Sequence, residues 1–170
     1  MFILFILMAK NLQNSKWRGR IMRYAPLVLW IGVIMFLSSG QASMSNTSRF
    51  IRPLLIFLFP GAPEEILNIY HGYIRKSAHV TVYAILAFWA FRAFYNSSRK
   101  FLRDFWFAFA FVLVLLVASI DETNQSYLAS RSGSIYDVLL DAAGGVSMIL
   151  LIIFFKSFTG NNNRQAITDR

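Results

Sequence analysis

DETNQSYLASRSGSIYDVLLDAAGG, residues 121–145, lies between two strongly apolar segments and carries three Asp, a Glu, a Gln and an Arg. Asp137 and Asp141 fall inside what otherwise reads as a membrane-spanning helix. A charge near the bilayer centre costs about 2.5–3.5 kcal/mol even on insertion scales, so both need a reason to be there. For Asp137 the local chain supplies one: Ser134 is placed to N-cap the helix with Asp137 three residues on, a capping-box spacing. Asp141 has no such role. It follows Asp137 by one turn and lies about 10 Å deeper than the cap. It must face the bundle, paired with Lys76, Arg131 or His79, or else carry a proton. That fits either an interior structural hydrogen bond or a functional site. Ala142, Ala143, Gly144 and Gly145 follow, small residues that let another helix come close. Before the helix, the Ser-rich run Ser126–Ser134 with Arg131 and Gly133 offers free backbone N–H groups that can cradle an anion.

The rest of the 170-residue chain gives that stretch a setting. Apolar residues make up 56%, above the roughly 45–50% of soluble domains. The net charge of +9 does not point to nucleic acid, because the basic residues gather at the ends of apolar segments as topology determinants do. No nucleic-acid partner is expected. There is no Cys, which excludes a disulfide framework, a thiol nucleophile and Cys-ligated metal.

The pattern predicts an all-α membrane protein, a bundle of four spans at about 21–39, 77–95, 101–120 and 135–155. Residues 1–20 read as a basic tail, 21–156 as the membrane domain and 157–170 as a polar, disordered tail. Pro26 is expected in the opening turn of the first span, where its missing N–H matters least. Between the first two spans, Ile51–Phe59 is apolar but too short to cross and ends at the turn signal Phe59-Pro60-Gly61-Ala62-Pro63. It reads as an interfacial or re-entrant segment. Glu64–Tyr73 reads as a short amphipathic surface helix, and His71 as a loop residue.

With both termini in the cytoplasm, only Arg49, Arg52, Arg75, Lys76 and Arg131 of the 17 basic residues lie outside, in agreement with the positive-inside rule. That topology brings three polar clusters to one outer face: Arg75-Lys76-Ser77-Ala78-His79, Asp121-Glu122-Thr123-Asn124-Gln125, and Arg131 with Asp137. Lys76, His79 and Tyr83 share one helix face. Asp121 and Gln125 are one turn apart, while Asp121 and Glu122 point about 100° apart. A solvated, capped helix end is the plainer account of the Asp121 cluster, as is a snorkelling Lys76 with an interfacial His79 and Tyr83. One candidate His and scattered carboxylates make no metal signature, and no cofactor is expected.

Taken in order, these residues resemble the VanZ family of small bacterial membrane proteins. The family pattern is roughly K-x-x-H-x-x-x-Y-x-x-L, met by Lys76, His79, Tyr83 and Leu86. After a further span come D-E-x-x-Q (Asp121, Glu122, Gln125), R-x-G (Arg131, Gly133) and D-x-x-x-N-x-x-G (Asp137, Gly144). The Phe36-Leu37-Ser38-Ser39 end of the first span also fits. Asp141 stands where the family usually has Asn, and Val82 where many members have Glu. The resemblance implies a multi-pass protein of the bacterial inner membrane. The family takes its name from a protein linked to low-level resistance to teicoplanin, a glycopeptide with a fatty-acyl tail.

Two functions are compatible with these residues. In one, the outer-face pocket binds a membrane lipid or lipidated envelope molecule, with Lys76, Tyr83, Glu122, Gln125, Arg131 and Asp141 as ligand-binding residues. In the other, the protein is an intramembrane enzyme on an envelope lipid, with His79 as general acid or base, Asp121 or Asp137 orienting it, and Arg131 stabilising an anion.

Overall fold

Six helices, and no strand among the described residues, make up the computed structural model. It describes residues 2–38, 44–127 and 134–168, with side chains described for 17–38, 47–127 and 134–159. The helices are α1 (Phe2–Phe36), α2 (Met44–Leu58), α3 (Glu64–Tyr95), α4 (Lys100–Asp104), α5 (Trp106–Ser126) and α6 (Ile135–Thr168). Four are long and apolar enough to cross a membrane, over Trp17–Phe36, Glu64–Tyr95, Trp106–Ser126 and Ile135–Thr159. The backbone is also helical before the first span and after the last, where composition suggested tails.

Helix α3 is the axis of the bundle, with α1, α2, α5 and α6 all packed against it. Its inner face carries Tyr83, Leu86, Ala87, Ala90 and Ala93, all buried, against Ala110, Val114 and Ala118 of α5 and Ile149 of α6. Lipid tails are as apolar as Leu, so close van der Waals contact between small residues holds such helices together. The tightest approach is at α6. A Cβ on Gly144 would collide with the Val80 carbonyl oxygen and stand 3.0 Å from the Val80 Cα, and one on Gly145 would stand 2.7 Å from Val114 Cγ1.

Four local expectations are corrected. Residues 64–95 form one 32-residue helix rather than a surface helix and a separate span. At 1.5 Å per residue it is about 48 Å long, well over the roughly 30 Å hydrocarbon core, so its first turns project beyond the membrane. His71 is therefore helical and buried, with its Nε2 3.1 Å from Thr47 Oγ1. Pro26 lies inside α1, since the helix begins far upstream of it. Its missing N–H leaves the Met22 carbonyl without its usual partner, and Arg92 Nη1 donates to that oxygen at 3.2 Å. The third span starts at Trp106, after the separate turn of α4.

Helix α2 folds back on the projecting part of α3. The turn between them uses Gly61 at φ +87°, a backbone shape that glycine tolerates best. Arg52 pairs with Glu64, and Phe59 stacks on Tyr70 with ring centroids 4.9 Å apart. At 15 residues α2 is about 22 Å long, too short to span. Leu55 is buried, while Phe50, Leu54, Phe57 and Leu58 form an outward apolar face, as an interfacial helix requires.

The two ends of the bundle differ. At one, Lys156 Nζ sits 3.3 Å from the centroid of Tyr95, Phe91 packs edge-on against Trp106, and Arg23 donates to Ser98. At the other lie Ser38, Arg75, His79, Asp121 and Ser134.

Gly144→Ala is expected to destabilise the protein by about 1–3 kcal/mol, as overpacking against rigid backbone does. Gly32→Ala, with nothing within 4 Å of its added Cβ, is expected to leave stability unchanged or slightly raised. Apparent melting temperatures in detergent micelles check the pair.

Candidate functional site

The polar residues of α3, α5 and α6 meet inside the bundle rather than at solvated helix ends. Helix α5 continues to Ser126, so Asp121, Glu122 and Gln125 stand within it, each no more than 6% exposed. The plainer account of this cluster as a solvated cap is excluded.

Asp121 is held on both oxygens. Tyr83 Oη donates to Oδ2 at 2.9 Å, and Gln125 Nε2 donates to Oδ1 at 3.0 Å. Arg75 donates to Gln125 Oε1 at 3.3 Å. Arg75, Gln125 and Asp121 thus form a directed chain in which each donor fixes the next acceptor. Ser38, at the end of the first span, donates to the Asp121 carbonyl at 3.3 Å.

Glu122 takes the place that the capping-box spacing offered to Asp137. Its Oε2 accepts the Ser134 N–H at 2.9 Å, while Ser134 Oγ accepts the Tyr136 N–H at 3.2 Å. The cap is completed by a carboxylate from another helix, and Asp137 is left to line a cavity.

Asp141 has no exposed surface. His79 Nδ1 lies 3.3 Å from its Oδ1, which is ion-pair distance, yet neither carboxylate oxygen has an aligned hydrogen-bond partner. Of the expected partners that lie among the described residues, Lys76 and His79, it is His79 that stands against Asp141. The carboxylate at the imidazole is Asp141, whereas the sequence suggested Asp121 or Asp137 as its orienter. Gly144 explains the pairing: the close α3–α6 contact at Val80 brings the residue next to His79 against the segment just past Asp141.

Two cavities flank His79. One of about 150 Å³ has apolar walls from Ile34, Leu37, Ile51, Ile74 and Val82, and a polar floor of Arg75, His79, Asp121 and Gln125. The other, of about 100 Å³, is lined by Gly72, Arg75, Lys76 and His79 on one side and by Glu122, Asp137 and Asp141 on the other. His79 and Arg75 face both. Lys76 is exposed at the rim. Arg131, with Gly133, lies outside the described residues.

The sequence puts Arg75 in the outer-face polar cluster but gives it no site role, yet it lines both cavities. Gly72, Arg75, Lys76 and His79 follow an i, i+3, i+4, i+7 spacing. That signal becomes readable only once 64–95 is taken as one helix.

A helical bundle with four membrane-crossing helices and a buried polar site at one end defines a multi-pass membrane protein. The VanZ/LLP1 family model matches residues 24–156, and the chain belongs to that family. No curated protein and no solved structure matches it.

Tyr83→Phe removes the donor to Asp121 Oδ2 and is expected to destabilise the protein by about 1–3 kcal/mol. Combined with Asp121→Asn, the losses are expected to be non-additive by about 0.5–3 kcal/mol. Thermal unfolding of the two single variants and the double variant measures this coupling.

Proposed function

We propose that the protein is a bacterial inner-membrane protein, with both termini cytoplasmic, that binds a lipid-linked or lipidated envelope molecule in this pocket from the outer face. The observation that carries the reading is the larger cavity. Its apolar walls suit an acyl or prenyl chain, and the Arg75 guanidinium on its floor suits an anionic headgroup. Ile51 of α2 closes one side, so the interfacial helix takes part in the site. Lys76 at the rim adds positive charge where the headgroup would enter. The basic end of the bundle would face the cytoplasm, in keeping with the positive-inside bias. Resistance to an acylated glycopeptide would be a cellular consequence of the same binding chemistry.

One observation favours the enzyme reading. His79 reaches both cavities and has a buried carboxylate at one ring nitrogen, the arrangement of an oriented general acid or base. In that reading Asp141 orients His79, and Asp121 and Asp137 face the substrate headgroup.

The purified protein in nanodiscs is expected to retain a short-chain polyprenyl phosphate, with the phosphate-free prenol bound at least tenfold more weakly. Arg75→Gln is expected to weaken phosphate-lipid binding by about tenfold or more, the loss of one charge-assisted contact. No retention by the wild type, or equal binding by Arg75→Gln, overturns the proposal. Turnover of the bound lipid that disappears in His79→Ala while binding persists decides for the enzyme.

A further inference from the structure

The lipid-binding reading leaves the deepest group unexplained. Asp141 is fully buried with both carboxylate oxygens unaligned to any donor. A ligand atom each from His79, Asp121 and Asp141 lie within 4.8 Å of one another. We propose that these three side chains bind one divalent transition-metal ion, of the Zn²⁺ or Mn²⁺ type, between α3, α5 and α6.

A divalent cation would balance the charges. The ion pairs among the described residues are Arg52–Glu64, His79–Asp141 and Arg103–Asp104, so no described guanidinium or ammonium stands against Asp121 or Asp141. Two carboxylates and a divalent ion sum to zero, which removes the penalty of keeping charge in the bundle interior.

The geometry fits as well. Neighbouring ligand atoms on a tetrahedral ion with bonds of about 2.1 Å are about 3.4 Å apart. His79 Nδ1 and Asp141 Oδ1 are 3.3 Å apart. An ion lies off the line joining two of its ligands, so such a contact is expected to be poorly aligned as a hydrogen bond, which is what is found. Asp121, with a carboxylate oxygen within 4.8 Å of the other two ligand atoms, completes the set by turning toward the ion. Its oxygens each accept one hydrogen bond, from Gln125 and from Tyr83, and each keeps a further lone pair. Those two donors, with Arg75 behind Gln125, are the outer supports that metal-binding carboxylates have. One imidazole and two carboxylates suit Zn²⁺ or Mn²⁺ better than Ca²⁺, which takes six to eight oxygens. Three protein ligands leave a coordination position open, and His79 and Asp141 both border the smaller cavity, which provides an entry path.

The site stands independently of lipid binding and is tested without lipid. The full-length protein, purified in detergent and stripped with chelator, is exposed to Zn²⁺ or Mn²⁺, freed of unbound ion and measured by elemental analysis. The expected result is about one ion per chain in the wild type and in His71→Gln, and less than about a tenth of that in His79→Ala and Asp141→Asn. Metal is also expected to raise the wild-type melting temperature, a measurement that does not depend on the variants folding. Wild type that retains no ion and shows no thermal shift overturns the proposal and leaves a proton between His79 and Asp141. So does undiminished retention by a folded Asp141→Asn variant, which would place the ion elsewhere.

Discussion

Asp141 is buried between helices near one end of the bundle with no surface of its own, and the surrounding packing decides what it can meet. The α3–α6 contact at Val80 and Gly144 is tight enough that a single added methyl would collide with backbone. This closeness brings the His79 ring to the carboxylate. A residue much bulkier than alanine at position 144 would separate the helices and leave Asp141 without its partner, a cost that adds to the lost packing. Small residues after Asp141 and a buried pair on Asp141 are thus two sides of one constraint.

A second exchange frees the site's other carboxylate. Ser134 begins α6 with its hydroxyl on the Tyr136 N–H, and its own N–H is satisfied by Glu122 from α5. Glu122 therefore fastens the start of α6 to the end of α5, and Asp137 is left to the cavity. Along with Tyr83 and Gln125 on Asp121, this gives each acidic residue of the site a distinct environment. Glu122 is structural, Asp121 is held but still able to accept, Asp137 lines a cavity, and Asp141 is sealed against His79.

Much of this was legible in the sequence. Four spans follow from length and hydropathy alone, and the convergence of His79, Asp121 and Asp137 at one end follows from counting spans and charges. The expense of Asp141 in a membrane helix correctly placed it in the interior, and His79 was among its expected partners. The misreadings have physical causes. The polar residues Asn68, His71, Arg75 and Lys76 interrupt hydropathy but not helical geometry, so α3 looked like two pieces. The capping-box spacing at Asp137 is a local signal that a tertiary competitor, Glu122, overrides. Arg75 faces inward because of helix register, which charge counting does not contain. Loss of the Pro26 hydrogen bond was read as harmless at a helix start, whereas inside α1 it leaves the Met22 carbonyl for Arg92.

In the proposed topology the polar cluster forms a pocket open to water on the outer side of the membrane. Because the chain has no Cys, single cysteines can be read without background. Gly72 lines the smaller cavity, and a side chain added there meets nothing within 4 Å. Gly19, one turn before Met22 at the basic end, is equally free. The proposed topology predicts that a membrane-impermeant maleimide labels Gly72→Cys in intact cells and Gly19→Cys only after permeabilisation. Labelling of Gly19→Cys from outside, or of Gly72→Cys only after permeabilisation, would contradict it.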